Sequence, residues 1–183
     1  FMSLLDSIND ERVWQQFLEY KSNAGHLTKG EARFLARFVQ DRMYSIVSSK
    51  IISGQYQFGL PMKVLLNKSG SQKKRTVYRY SAAETMVLKL VAFLLYKYDG
   101  AICPNCYSFR RNATAQTAIS CIASIKDIQS KYALKIDVSN YFNSIPSAML
   151  QERISQVISD DAPLRDFLIG IISQDKACSI GPD

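Results

Sequence analysis

The chain has 183 residues, 47% of them hydrophobic, which is enough to bury a sizeable core in one domain or two small ones. It carries 23 Lys and Arg against 16 Asp and Glu, a formal net charge of +7. No run of about 18 uncharged apolar residues and no basic-then-apolar start marks it for a membrane or for secretion, so a cytoplasmic protein with polyanionic partners is expected.

The first elements read as helices. Asn9 or Asp10 can cap a helix in which Val13, Trp14, Phe17 and Leu18 recur at helical spacing, ending near Asn23 to Gly25. Thr28 and Glu31 then form a capping box, with hydroxyl and carboxylate satisfying free amides at a helix start. The helix they open is predicted to be long. Leu35, Phe38, Val39, Met43, Ile46 and Val47 keep one period up to Gly54, which suits a helix stop.

An extended piece, Lys63 to Asn67, the turn-rich Lys68-Ser-Gly-Ser-Gln and the alternating Arg75 to Tyr80 read as a β-hairpin with Gly70 in its turn. From Arg42 to Ala83 there is no Asp or Glu, while Arg42, Lys50, Lys63, Lys68, Lys73, Lys74, Arg75 and Arg79 all fall inside. Such a field attracts nucleic acid or nucleotide phosphate. Ser81 and Glu84 form a second capping box, for a helix carrying Met86, Val87, Leu90, Val91, Leu94 and Leu95, with Gly100 as its expected end.

Of the four cysteines, Cys103 and Cys106 have the spacing of half a zinc site or of a redox pair. Zinc wants four ligands, and the only histidine, His26, lies far off in sequence, so reduced thiols engaged in ordinary packing are expected. A helix from about Thr114 carries Ala118, Ile119, Ile122 and Ile125. Tyr132 to Val138 alternates cleanly, with Leu134, Ile136 and Val138 on one face and Lys135 and Asp137 on the other, and is predicted to be a strand. Two further helices are placed after Pro146 and Pro163. An acid ending an apolar strand wants a cation, a hydrogen-bonded cap or solvent, and spacing alone leaves Asp137 equally a turn cap or a metal ligand. Asp160-Asp161 reads instead as a turn capping the next helix.

Three stretches, in order, resemble the opening motifs of reverse transcriptases, especially bacterial group II intron-like ones: Asn67 to Arg75, Tyr107 to Ala115, and Leu134 to Phe142. The likeness covers roughly residues 60–146. The second stretch departs from the family's Tyr-Gly-Phe-Arg-Pro-Asn pattern at Ser108, Arg111 and Ala113 but keeps Arg110.

The resemblance implies an α+β fold: mostly helical fingers with a basic β-hairpin, and the first strand of a polymerase palm sheet. It divides the chain into a helical extension at 1–60, hairpin-bearing fingers at 61–130 and a partial palm at 131–183. It implies an RNA-directed DNA polymerase that extends a primer on an RNA template with deoxynucleoside triphosphates. Two Mg2+ ions would be the cofactors, with Asp137 and the Val138 backbone carbonyl among their ligands. Lys68, Arg75 and Arg110 would meet the triphosphate, Phe142 would act as a steric gate against the ribose 2′-hydroxyl, and Lys63, Lys73, Lys74 and Arg79 would meet nucleic acid. The second catalytic motif has no counterpart here, so a truncated, inactive and self-associating piece is expected. The alternatives are an RNA-binding, maturase-like splicing factor of the same ancestry and an antiphage defence reverse transcriptase.

Overall fold

Trp14 has the largest side chain in the core, and its neighbours explain how the first three helices pack. The structure, a computed structural model, describes residues 2–178 apart from Gly25, His26, Lys68, Ser69, Ser71, Lys73, Phe109, Asn112 and Asn140, and only the backbone of Arg75, Phe142, Asn143 and 174–178.

Helix α1 spans Glu11–Ala24. Its start is held by Asp10, whose carboxylate accepts the Arg12 N–H at 2.8 Å. Before it runs a 3-10 turn, Asp6–Asn9. The Ile8 carbonyl of that turn accepts both Trp14 Nε1–H and the Ser48 hydroxyl, each at 2.8 Å, so two buried donors are satisfied by one acceptor. The Trp14 ring stacks on Tyr44 with centroids 4.9 Å apart and meets Phe38 edge-on at 5.4 Å.

The long second helix predicted from the apolar period is two helices, α2 (Lys29–Gln40) and α3 (Tyr44–Ile52). Between them Arg42 adopts the left-handed conformation, φ 50°. Its N–H bonds the Val39 carbonyl at 3.1 Å and the Met43 N–H reaches the Phe38 carbonyl at 3.0 Å, the bond pair of a Schellman helix end. The break turns Tyr44, Ser48 and Ile51 inward and leaves Met43 and Ile46, expected in the core, exposed. At the far end of α3, Gly54 (φ 70°) makes the same motif, with Gly54 N–H to Ile51 O and Gln55 N–H to Lys50 O.

Strands β1 (Met62–Asn67) and β2 (Lys74–Arg79) form an antiparallel ribbon in which Val64 faces Val77 and Lys63 faces Tyr78. Helix α4 (Ala82–Leu94) follows and buries Met86, Val87, Leu90 and Val91. It ends at Leu94, before the expected stop at Gly100, and tightens into a 3-10 turn over Leu95–Ala101. Helices α5 (Ala115–Ala123) and α6 (Tyr141–Ser144) precede α7 (Ser147–Val157) and α8 (Ala162–Cys178). The architecture is α+β, mostly helical with a two-stranded antiparallel sheet.

One core draws on Leu5, Trp14, Leu35, Tyr44, Leu90 and Leu164, and so on chain separated by more than 150 residues. Asp161 makes the long-range tie. Its carboxylate caps α8 through the Leu164 N–H (3.2 Å) and accepts the Leu4 N–H (2.7 Å) and the Ser3 hydroxyl (2.5 Å). Asp160 accepts from Lys97 and Tyr98, each at 2.8 Å. Both acids are structural, as the turn reading expected.

The predicted strand Tyr132 to Val138 is not one. These residues join no ladder, and Leu134 and Ile136 are 85% and 79% exposed. A strand needs a partner for its amides, and no second extended segment among the described residues lies beside it. Ile119 and Ile122, expected to pack, are likewise open to solvent. No helix among the described residues is long and apolar enough to cross a membrane.

Candidate nucleic-acid interface

The β1–β2 ribbon is rich in cations because of its sequence, and its strands are largely open to solvent. Lys63, Lys74 and Arg79 are exposed, and so are Met62, Leu65, Leu66 and Tyr78. Gly70 takes φ 72° in the turn between the strands, a conformation glycine adopts without steric cost.

The base of the ribbon is fixed by Glu84. One carboxylate oxygen accepts the Tyr56 hydroxyl (3.0 Å) and the Gly59 N–H (2.8 Å); the other accepts the Ser81 N–H (3.1 Å) and hydroxyl (2.6 Å). Burial acts to raise the Glu84 pKa, but these donors outweigh it and hold it below the ordinary value. Burial, followed by the hydrogen bond to Glu84 and then its charge, pushes the Tyr56 phenol up to about 12. Phe58 adds an apolar clasp, edge-on to Tyr56 (5.0 Å) and to Tyr80 (5.8 Å). The sequence showed Glu84 only as a cap; its second role depends on the return of residues 56–59, which no local pattern encodes.

Beside this base lies a cleft of about 630 Å³ between α2 and α4, lined by Phe34, Arg79, Tyr80, Thr85 and Lys89 among others. Lys89 pairs with Glu31 at 3.4 Å across it. Arg79 continues the charge of the ribbon onto the cleft wall, and Phe34 and Tyr80 offer ring surface, a combination suited to a single-stranded nucleic acid.

The segment 102–114 leaves the 3-10 turn as a loop. The Cys106 N–H donates to the Cys103 carbonyl at 2.9 Å and closes a four-residue turn. Arg110 is held on that turn, its Nη1 donating to the Pro104 carbonyl at 3.2 Å and the Cys103 carbonyl at 3.5 Å. Arg111 lies over the Tyr96 ring, 4.8 Å from its centroid. Three cysteines are not packed as expected: Cys103 and Cys121 are exposed and Cys106 is half-buried, because the loop and α5 lie outside the core, while the Cys178 side chain lies outside the described residues.

Asp137 and Val138 lie in the uncovered stretch before α6, both exposed, and Asp137 has no ion pair among the described residues. The structure therefore brings Lys63, Lys74 and Arg79 together on one ribbon, and no ion pair among the described residues joins Asp137 to any cation. Lys68 and Lys73, and the side chains of Arg75 and Phe142, lie outside the described residues.

Among the described residues no three His, Cys, Asp or Glu side chains are grouped to hold a metal ion. Asp137 and the Val138 carbonyl would supply two kinds of oxygen, whereas Mg2+ takes about six in near-octahedral order and a two-ion site needs bridging carboxylates. The described residues alone do not fit a two-metal centre. No family model and no curated protein matches the chain.

Proposed function

We propose that the chain forms the fingers and the beginning of the palm of a reverse transcriptase. The observation that carries this reading is the solvent-open ribbon β1–β2. It has Lys63, Lys74, Arg75 and Arg79 on its strands, no carboxylate of its own, and lies where the resemblance sets the triphosphate-holding hairpin. Its cations would offset phosphate charge, and the Glu84 clasp would hold its base still while a polyanion lies along it.

Lys68, Arg75 and Arg110 would meet the triphosphate, Phe142 would lie beneath the sugar and exclude a 2′-hydroxyl, and Lys73 would join the nucleic-acid contacts. Asp137 would be one carboxylate of a centre whose others lie outside the described residues. Nucleotide addition is therefore a property of a polypeptide that supplies them, and the 183-residue chain alone is proposed to bind without catalysing.

A second reading, an RNA-binding protein of maturase type, is favoured by the cleft, where ring surface from Phe34 and Tyr80 lies beside Arg79 and Lys89. The test common to both is the affinity of the chain for single-stranded RNA as salt is varied. About four phosphate contacts give a slope near −3 in log affinity against log salt. Binding that is unchanged when Lys63, Lys74 and Arg79 are all replaced by Ala overturns the assignment of this surface. Asp137→Ala in a polypeptide carrying the remaining carboxylates separates the two readings, because polymerisation ends in that variant while RNA affinity persists.

A further inference from the structure

We propose that Cys103 and Cys106 form a reversible dithiol–disulfide couple, built into the turn that carries Arg110. The inference stands on the geometry of the turn and needs no polymerase activity.

The pair is pre-set for a bond. The hydrogen bond from Cys106 N–H to the Cys103 carbonyl, 2.9 Å, closes a four-residue turn with Pro104 and Asn105 at its centre. Such a turn holds its first and fourth Cα atoms within about 7 Å. A disulfide spans about 4.4–6.8 Å between Cα atoms, so closing it takes little backbone movement. Pro104 fixes one central φ and so reduces the entropy lost in holding the turn.

The two thiols are also available. Both are free, with Cys103 exposed and Cys106 half-buried. The Cys106 thiol makes one weak contact, to the Ser108 carbonyl at 3.6 Å, and swings away from it to meet Cys103. The other described thiol, Cys121, is exposed on α5, outside the turn. Arg110 braces the turn from outside, through the Cys103 and Pro104 carbonyls.

The co-reactant is a low-molecular-weight disulfide. The thiolate of the exposed Cys103 attacks one of its sulfurs, releasing one small thiol and leaving a mixed disulfide. The Cys106 thiolate then displaces the second small thiol and forms the Cys103–Cys106 bond. Two protein thiols are oxidised with loss of two protons and two electrons, and one small disulfide is reduced to two thiols.

The full chain is equilibrated in buffers of stepped glutathione to glutathione-disulfide ratio, quenched in acid, alkylated and read by mass spectrometry. The expected result is that Cys103 and Cys106 escape alkylation together in one transition, their peptide lighter by two hydrogens, with Cys121→Ser unchanged in this respect. Cys106→Ser is expected to stop at the glutathione adduct of Cys103. Arg110→Ala is expected to move the midpoint about fivefold towards the dithiol, the worth of one hydrogen bond to the turn, and Arg111→Ala to leave it in place. Separate adducts on both cysteines, a bond from either to Cys121, or a bond between two chains overturns the couple. An unmoved midpoint in Arg110→Ala overturns the bracing by that arginine.

Discussion

Tyr56 donates its hydroxyl across 3.0 Å to the buried carboxylate of Glu84, and this bond joins the segment entering the hairpin to the helix leaving it. Because the opposite carboxylate oxygen serves Ser81, one side chain holds both ends of the β1–β2 ribbon.

Replacing that carboxylate should be costly. Glu84→Gln keeps the shape but turns an amide N–H towards donors on one side, leaving them unsatisfied, and about 1–3 kcal/mol of stability should be lost. The pH dependence has a definite sign. The folded-state pKa lies below the ordinary 4.5, so the contribution is complete above that value and disappears as pH falls through the folded one. Denaturant unfolding at neutral pH and near pH 4 checks this: the difference should shrink in Glu84→Gln, and an unchanged difference would contradict it.

Asp161 should matter as much, through a different part of the chain. Asp161→Ala removes the acceptor for Ser3, Leu4 and the α8 cap, at a cost of about 2–3 kcal/mol. Hydrogen exchange should show residues 3–8 opening together with the start of α8, and exchange confined to α8 would refute the tie.

Arg42 occupies a left-handed position that glycine fills without strain. Arg42→Gly and Arg42→Ala both lose the exposed contact with Glu11 (2.7 Å), so comparing them isolates the backbone term. The glycine variant should be more stable than the alanine variant by about 1 kcal/mol, measured as the shift between their chemical unfolding midpoints.

On the ribbon, Lys63→Ala, Lys74→Ala and Arg79→Ala should each weaken single-stranded RNA binding alike across sequences and reduce the salt slope by about 0.7. Fluorescence anisotropy at several salt concentrations reads both effects, and a loss restricted to one RNA sequence would point to base recognition instead.

Asp137 is exposed and has no ion pair among the described residues, so Asp137→Ala should change stability by less than about 0.5 kcal/mol. A larger loss in thermal or denaturant unfolding would mean that the side chain has a structural partner and that its proposed part in catalysis needs another explanation.

Local chemistry was legible in the sequence wherever a few neighbouring residues decide the outcome. The boxes at Thr28 and Ser81, the stop at Gly54, the turn at Gly70 and the start at Thr114 follow from amide groups and backbone angles settled within about four residues, and the helix starts near Pro146 and Pro163 from proline's fit to a first helical turn. The charge of the ribbon is likewise a matter of composition. What the sequence could not decide was anything set by a distant partner. Arg42 breaks a helix whose apolar period runs on unbroken, and the break lets Tyr44 stack on Trp14, a partner that no local pattern encodes. Tyr132 to Val138 alternates as a strand should, yet alternation selects a face and supplies no partner for the amides. Glu84 becomes the clasp of the ribbon only once residues 56–59 fold back onto it, since a buried carboxylate takes its role from whichever donors the tertiary structure brings to it.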